Sequence, residues 1–282
     1  MNKKNILLTW FKYLCLIAVA IFIFNKGAYA EKTYVLARAP QLSPTILAKT
    51  WGPFVKRLSE ITGRKIELKV YLHRSDFEKD IMGGKVDLFY ANPGYLIAAN
   101  RKHAYVPLIR SSQKKLKGIV VVRQDSVYKN IQDIKGQTIV FPSPKAFAAS
   151  LLVRSNLKNL GVKFKSEYVK SHDDVYRSVV YRRFAAGGGV YRTFNRESAN
   201  LKKNLRVLYE TPGIQPHPLA AHPRVPKSVR QAIQSAVLAM ADSAEDNKHL
   251  NKIKLRKPVK ADFKRDYLPI QKMALEMYSY LL

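Results

Sequence analysis

Short β-type runs alternate with amphipathic helical stretches along the chain from residue 32 onward. Ser43 followed by Pro44 predicts the start of a helix, because serine caps helices well and proline suits the first helical position. The apolar positions after it recur at helical spacing as far as Gly63, where the helix should end. The SDFE of residues 75–78 predicts a capping box and a second, shorter helix. The further predicted helices are residues 94–100, 146–160, 173–184, 227–240 and 269–281. The predicted strands are residues 33–37, 66–72, 86–90, 117–126, 138–141, 167–169, 187–189 and 205–208.

This alternation of strands and helices is typical of βαβ units in a mostly parallel sheet. A second set of such units begins after residues 117–126, and the proline-rich segment of residues 210–226, which contains five prolines, leads the chain back through a crossing near residues 209–221. We therefore predict an α/β protein of two lobes, each a mostly parallel sheet flanked by helices, joined by two hinge crossings. Lobe 1 would comprise residues 31–120 and 218–282, and lobe 2 residues 121–217.

The first 30 residues have the layout of a cleaved secretory signal. Lys3, Lys4 and Lys12 form a basic start, an uncharged apolar run covers 13 residues at positions 13–25, and an Ala-Tyr-Ala site ends at residue 30. A spanning helix needs roughly 20 apolar residues. We predict export to the periplasm. The alternative keeps residues 6–24 as an uncleaved membrane anchor that tolerates Lys12.

The charge of the chain is strongly positive. Of the formal net charge of +30, four lysines belong to the signal, so about +26 stays with the mature chain. This balance favours anionic partners and says nothing about fold. The densest basic stretch, residues 248–265, predicts a solvated basic surface, with a membrane or partner patch as the alternative. We expect no contact with nucleic acid because the protein is exported.

Several stretches together resemble the periplasmic phosphate, phosphite and phosphonate binding proteins of ABC importers, the PhnD-like family. These proteins have the type II periplasmic binding protein fold, and the resemblance implies a ligand cleft between two lobes. The stretches that carry it are KVDLFYANPGYL (85–96), TIVFPSPKAFAASLLVRSNLKNLGV (138–162), VKSHDDVYRSVV (169–180) and LYETPGIQPHPLAAHPRVP (208–226).

Candidate ligand-binding residues fall at strand ends and helix starts. Tyr90 and Asn92 follow a predicted strand, where ligands bind in open α/β sheets, and each can donate a hydrogen bond. The resemblance places ligand at the start of the helix after residue 145, and an oxyanion can bind the unpaired N–H groups there. His172 falls on the family's histidine position. The full predicted set is Tyr90, Asn92, Ser143, Ala148, Ala149, Ser150 and His172.

This sequence departs from the pattern of typical phosphonate binders at two places. Their run of hydroxyl residues at the start of the lobe 2 helix is represented by Phe147, Ala148 and Ala149 here. Amine-bearing phosphonate binders tend to have a carboxylate near the strand of residues 187–189, where this chain has Ala185 and Ala186. The ligand's identity therefore stays open.

We predict a solute receptor that closes around a small oxyanion and delivers it to an ABC permease and ATPase. The first alternative is a ligand-sensing receptor for a membrane sensor kinase; the second is a basic membrane-associated scaffold without a small ligand. We expect a monomer with no catalytic site, no cofactor and no metal. His217 and His222 lack the helix and glutamate of a zinc hydrolase, so we interpret them as lining the crossing or the cleft rim.

Overall fold

The computed structural model describes residues 32–40, 43–113 and 115–273. Within those residues the strands form one six-stranded and one five-stranded sheet, with helices packed around both. The strands are β1 (Tyr34–Arg38), β2 (Ile66–Lys69), β3 (Leu88–Tyr90), β4 (Val106–Ser111), β5 (Ile119–Arg123), β6 (Thr138–Phe141), β7 (Lys165–Tyr168), β8 (Ala186–Gly189), β9 (Leu205–Glu210), β10 (Pro218–Ala221) and β11 (Pro258–Lys260). The α-helices are α1 (Pro44–Thr62), α2 (Arg74–Met82), α3 (Pro93–His103), α4 (Val153–Asn159), α5 (His172–Val180), α6 (Tyr191–Phe194), α7 (Ala199–Lys202), α8 (Lys227–Asp242), α9 (Ala244–Lys252) and α10 (Leu268–Met273). Two π-helices (Phe147–Leu152 and Phe263–Tyr267) and a 3-10 helix (Ile131–Ile134) complete the described elements.

Each lobe is built on one of the sheets, so the predicted two-lobed α/β architecture is confirmed. The lobe 1 sheet has the order β11-β4-β10-β3-β1-β2, and the lobe 2 sheet has the order β7-β6-β8-β5-β9. Parallel pairs join β1 to β2 and β3, and β6 to β7 and β8. The strands next to the crossings pair antiparallel, so each sheet is mixed, which the sequence analysis did not anticipate.

Helix α1 begins and ends where its sequence signals predict. The Ser43 hydroxyl accepts a hydrogen bond from the Ile46 N–H at 3.4 Å, and Gly63 closes the helix in the left-handed region at φ 59°. Glycine suits that conformation because it has no Cβ. The helix buries Trp51 and Phe54 against the lobe 1 sheet, so its apolar stripe forms part of the core.

The predicted capping box at residues 75–78 is wrong. Helix α2 begins at Arg74, with His73 in the cap position and no side-chain cap hydrogen bond, so Ser75 lies inside the first turn. The predicted helix over residues 146–160 starts as the π-helix Phe147–Leu152 and becomes regular only in α4. Helix α5 ends at Val180 rather than residue 184.

The two crossings between the lobes lie side by side and are hydrogen-bonded to each other. Leu116 and Ile214 exchange both backbone hydrogen bonds, at 2.8 and 3.0 Å. Next to them, the Gly118 N–H donates to the Thr211 hydroxyl at 2.9 Å, and the Thr211 N–H donates to the Gly118 carbonyl at 2.9 Å. A rotation of one lobe must therefore bend both crossings together. The lobe boundaries at residues 120/121 and 217/218 stay a proposal.

The lobes also meet where the π-helix of lobe 2 packs on helix α3 of lobe 1. Phe147 and Leu151 belong to the same buried apolar cluster as Tyr95. A Cβ on Gly94, in the first turn of α3, would lie 3.0 Å from the Phe147 ring, so the glycine admits that ring. This contact brings the predicted ligand loop of lobe 2 against the predicted ligand turn of lobe 1.

The basic stretch of residues 248–265 is exposed on one side and buried on the other. Its lysine and arginine side chains are exposed, whereas Leu250, Ile253 and Leu255 are buried in the core of lobe 1. The partner of this surface stays a prediction.

None of the helices within the described ranges is long and apolar enough to cross a membrane. The predicted signal and the end of the helix predicted over residues 269–281 lie outside the described residues.

Candidate functional site

Arg38 and Tyr90 lie side by side at the carboxyl edge of the lobe 1 sheet, because parallel pairing aligns the ends of β1 and β3. The Arg38 guanidinium lies 5.3 Å from the centroid of the Tyr90 ring and 5.2 Å from that of Trp51. Its Nη1 donates to the carbonyl oxygens of Ala39 at 3.1 Å and Tyr90 at 3.3 Å. Burial lowers the pKa of Arg38 to about 10, the Tyr90 hydroxyl raises it, and the Arg192 charge lowers it further. A buried cation therefore occupies the edge of the sheet where ligands bind in α/β folds.

The His217 ring stacks on the Tyr90 ring. It directly precedes β10, whose pairing with β3 brings it beside Tyr90; the two ring centroids are 5.9 Å apart and the ring planes 26° apart. Burial lowers the pKa of His217 to about 3, with further contributions from Arg38 and Arg192. Burial raises the pKa of Tyr90 to about 12, against the opposing charge of Arg38. Near neutral pH the imidazole is thus uncharged and the phenol keeps its proton, so both can donate a hydrogen bond.

Asn92 holds the turn between β3 and α3. Its side-chain oxygen accepts a hydrogen bond from the Tyr95 N–H at 3.3 Å, which caps the helix. That oxygen is committed to the cap. The side-chain amide nitrogen is the group of Asn92 that can donate to a ligand.

Ser143, Ala148, Ala149 and Ser150 lie on the lobe 2 side, in the turn after β6 and in the π-helix. The wide turn of that helix is visible in the bond from the Leu151 N–H to a carbonyl five residues earlier, at 3.0 Å. Ser150 is fully buried, and its hydroxyl has no hydrogen-bond partner within the part of the chain that the structure describes. A buried hydroxyl without a partner costs roughly 1–3 kcal/mol, which a ligand that accepts from it would recover. Irregular π turns are frequent at functional sites.

His172 occupies the first position of α5. The Ser171 hydroxyl caps the helix by accepting from the Asp174 N–H at 3.1 Å, as the sequence predicts. The Nδ1 atom of His172 lies 3.3 Å from the Thr193 hydroxyl oxygen, which is itself 2.7 Å from the Tyr176 hydroxyl oxygen. Burial lowers the pKa of His172, and Arg196 and Arg192 add to this against Asp173. This imidazole is therefore neutral at physiological pH and held by a chain of hydroxyl groups.

At the three glycines of β8, neighbouring protein atoms occupy the space that a side chain would fill. A Cβ on Gly188 would lie closer than 3.0 Å to the Ala149 carbonyl oxygen and to the Phe141 ring. One on Gly187 would lie 2.6 Å from the Val175 side chain, and one on Gly189 would overlap the Tyr176 hydroxyl. The predicted strand at this run is confirmed. Its missing side chains let the π-helix and α5 pack directly on the lobe 2 sheet.

Asn92 caps α3 directly after β3, which ends at Tyr90, on lobe 1. On lobe 2, Ser150 is the fourth residue of the π-helix and His172 begins α5. That these residues share one ligand site stays a prediction. Sequence reasoning missed Arg38, although it ends a strand beside Tyr90 and the same rule of strand ends would have found it. It also missed the hydroxyl chain around Thr193, for which the sequence carries no local signal. No cluster of three or more metal-binding side chains occurs among residues 32–40, 43–113 and 115–273.

The sequence also matches a known protein family. Residues 36–267 match the family model described as the periplasmic substrate-binding protein of phosphonate ABC transporters. The chain belongs to this family. Phosphonate-family binding proteins bind and deliver substrate, so the family is not a class of enzymes; it also implies a periplasmic location, a small ligand and permease and ATPase partners. Among curated proteins, none matches this sequence.

Three solved structures show the same fold at low sequence identity. PhnD1 from Prochlorococcus marinus, in complex with methylphosphonate, is 17% identical, with 88% of this chain and 98% of that chain covered and a TM-score of 0.68. The binding protein component of an ABC phosphonate transporter from Pseudomonas aeruginosa is 15% identical, with 88% and 87% covered and a TM-score of 0.65. A protein from Xanthomonas citri bound to ATP is 15% identical, with 89% and 99% covered and a TM-score of 0.74. At these identities the likeness concerns the fold.

Proposed function

We propose that this phosphonate-family receptor binds a small oxyanion of the phosphate, phosphite or phosphonate type between its lobes and delivers it to an ABC permease. The observation that carries the proposal is the buried Arg38 guanidinium at the carboxyl edge of the lobe 1 sheet, beside the Tyr90 phenol and the His217 imidazole. One cation and two neutral donors on a single wall suit a ligand with several acceptor oxygens.

The opposite wall supplies donors that lack a full charge. His172 is the first residue of α5, and Ser150 is the fourth residue of the π-helix that begins at Phe147. The unpaired N–H groups and the helix dipole at the starts of these two helices favour an anion. We propose that the ligand bridges the two walls. Contacts to both lobes are complete only when the lobes are together, so ligand binding would shift the population toward the closed state.

The residues near the proposed cleft also indicate that the ligand has no ammonium group. Ala186 stands buried at the start of β8, near the place where the family resemblance implies a carboxylate for amine-bearing ligands. We infer that an ammonium group would find no acidic partner there. The methylphosphonate in the Prochlorococcus marinus complex is an oxyanion without an amine, which supports this class of ligand.

The test is a binding screen on the mature chain with phosphate, phosphite, methylphosphonate, 2-aminoethylphosphonate and sulfate. We expect at least one amine-free phosphorus oxyanion to stabilise the protein by about 2.7 kcal/mol at a hundredfold excess over its Kd. Methylphosphonate should bind about tenfold more tightly than 2-aminoethylphosphonate. If no oxyanion stabilises the protein while anionic vesicles bind it, the basic-scaffold alternative replaces this proposal.

Two substitutions connect the binding to the cleft. Tyr90→Phe removes one donor and should weaken binding about tenfold, whereas Tyr181→Phe, on an exposed lobe 2 tyrosine, should leave it unchanged. Ser150→Ala should weaken binding while leaving the ligand-free protein as stable or about 1 kcal/mol more stable, because the buried hydroxyl without a partner is removed. A loss of stability without a loss of affinity in Ser150→Ala would remove the hydroxyl from the proposed site.

A further inference from the structure

Cationic residues of lobe 1 are aligned along the edge of its sheet that faces lobe 2. The register pairs the end of β1 with the end of β3, the start of β10 with the end of β4, and the start of β11 also with the end of β4. Arg38 and the uncharged imidazole of His217 therefore lie on the same edge as the turn that precedes β11. Lys254 belongs to that turn, which is fixed because the Ser111 hydroxyl donates to the Arg256 carbonyl oxygen at 2.5 Å.

The lobe 2 side of the mouth carries Arg192 and Arg196. Helix α6 follows β8 after a single residue, and the Thr193 hydroxyl donates to the Val190 carbonyl oxygen at 3.0 Å, which fixes the short helix beside His172. Arg192 is exposed on this helix. Its charge acts on both lobes: it lowers the pKa of Lys254 more than any other influence does, and it also lowers the pKa of Arg38 after burial.

Three carboxylates beside this cluster are each hydrogen-bonded to another group, and one of them, Glu197, also interacts with Arg196. Glu210 accepts a hydrogen bond from Lys117 across the two crossings, and Tyr191 also hydrogen-bonds it. The Asp173 side chain hydrogen-bonds Glu197, whose pKa is raised mainly by burial and then by Asp173. Val190, which directly precedes α6, packs against the apolar cluster that contains Ala37 and Ala39 around the end of β1, so Arg192 lies on the side of lobe 2 that approaches Arg38. Bringing the lobes closer together increases the repulsion between these cations.

We propose that Arg192 makes the receptor selective for ligands with two or more negative charges, because only such a ligand offsets the repulsion between the cations of the two lobes. This inference rests on the proposed function and names the charge class of the ligand for the same cleft. A dianion between Arg38 and Arg192 attracts both lobes at once. A monoanion of the same shape leaves the cluster with excess positive charge and stabilises the closed state less.

The experiment compares two tetrahedral probes of nearly the same shape, methylphosphonate above its second pKa as a dianion and methanesulfonate as a monoanion. Both are titrated calorimetrically into the mature wild-type chain, Arg192→Gln and Arg183→Gln at constant ionic strength. Arg183→Gln is the matched control, since Arg183 is an exposed arginine on lobe 2 beyond the far end of α5. We expect Arg192→Gln to bind the dianion about tenfold more weakly and the monoanion within about twofold of wild type, and Arg183→Gln to behave as wild type.

A second readout needs no ligand. If the facing cations oppose closure, ligand-free Arg192→Gln should be more compact than wild type in small-angle scattering, and added salt should compact the wild type more than the variant. An equal loss of affinity for both probes, or an unchanged radius of gyration in Arg192→Gln, would overturn the inference. If wild type binds neither probe and also neither phosphate nor phosphite, the proposed function fails, and the compactness of the ligand-free variant still decides whether Arg192 opposes closure.

Discussion

Replacing Gly188 by alanine should destabilise lobe 2, because the new Cβ would have no room. Gly188 is buried in β8, the central strand of the lobe 2 sheet. The added carbon would lie closer than 3.0 Å to the Ala149 carbonyl oxygen and to the Phe141 ring, whereas ordinary contacts begin near 3.4 Å. The carbonyl belongs to the π-helix backbone, which cannot move aside as a flexible side chain would.

The size of the effect follows from two opposing contributions. Overpacking a well-packed core costs typically about 1–3 kcal/mol, and a backbone obstacle belongs at the upper end of that range. Alanine loses less backbone entropy than glycine on folding, which returns roughly 0.5–1 kcal/mol. The net loss in unfolding free energy should be about 2 kcal/mol, or a fall in Tm of roughly 4–8 °C for a protein of this size.

Urea denaturation followed by circular dichroism measures this loss. Gly52→Ala provides a control of identical chemistry, since a Cβ there would meet nothing within 4 Å beyond its chain neighbours. Gly52 lies inside α1 and precedes Pro53, so the helix gain and the pre-proline strain oppose each other and the net change should stay below about 1 kcal/mol. A Gly188→Ala protein within about 0.5 kcal/mol of wild type would refute the packing role of the glycine run.

Two further predictions concern charged groups. Asp266 is buried, and hydrogen bonds from Arg265 and Arg110 hold its pKa well below the usual range although burial opposes this; Asp266→Asn should therefore cost about 3 kcal/mol of stability at neutral pH in chemical denaturation, and an unchanged midpoint would contradict it. The pKa of His217 is about 3 in the folded state against roughly 6.5 unfolded, so the unfolded state binds the proton first and stability falls as pH drops below about 6.5. Wild type should lose about 3 kcal/mol more than His217→Gln between about pH 6.5 and pH 4, and parallel pH profiles of the two proteins would refute this.

Local capping signals predicted much of the fold correctly. Ser43, Gly63 and Ser171 mark helix ends in the structure as they do in the sequence, because each cap depends on atoms within four residues. The capping-box prediction at residues 75–78 was wrong because a serine and a glutamate three residues apart form the same sequence pattern whether the serine caps a helix or lies inside its first turn. In the structure the helix begins one residue before Ser75, with His73 at the cap position.

The antiparallel strands could not be predicted from local pattern. Strand β10 has the sequence PLAA and begins with a proline, which weakens any strand signal; its pairing comes from its position between β3 and β4. The π-helix after β6 is similarly invisible in the sequence. Its wide turn fits against Gly118 and Gly188, two glycines far apart along the chain, so only the assembled lobe reveals it.

The candidate site also contains some residues that local sequence patterns indicate and others that they do not. Tyr90 was proposed because ligands bind at strand ends, and His172 because a family resemblance marks its position; both roles stay predictions. His217 comes beside Tyr90 through the pairing of β10 with β3, and Arg192 acts on Arg38 from lobe 2, so neither contact follows from neighbouring residues in the sequence. Contacts between residues far apart along the chain cannot be predicted from local sequence patterns.

The most direct test of ligand binding between the lobes is a crystal structure of the mature chain grown with methylphosphonate. We expect phosphonate oxygens within hydrogen-bonding distance of the Tyr90 hydroxyl and the Arg38 guanidinium on lobe 1, and of Ser150 or His172 on lobe 2. An empty cleft with the phosphonate bound instead on the exposed basic surface of residues 248–265 would contradict it.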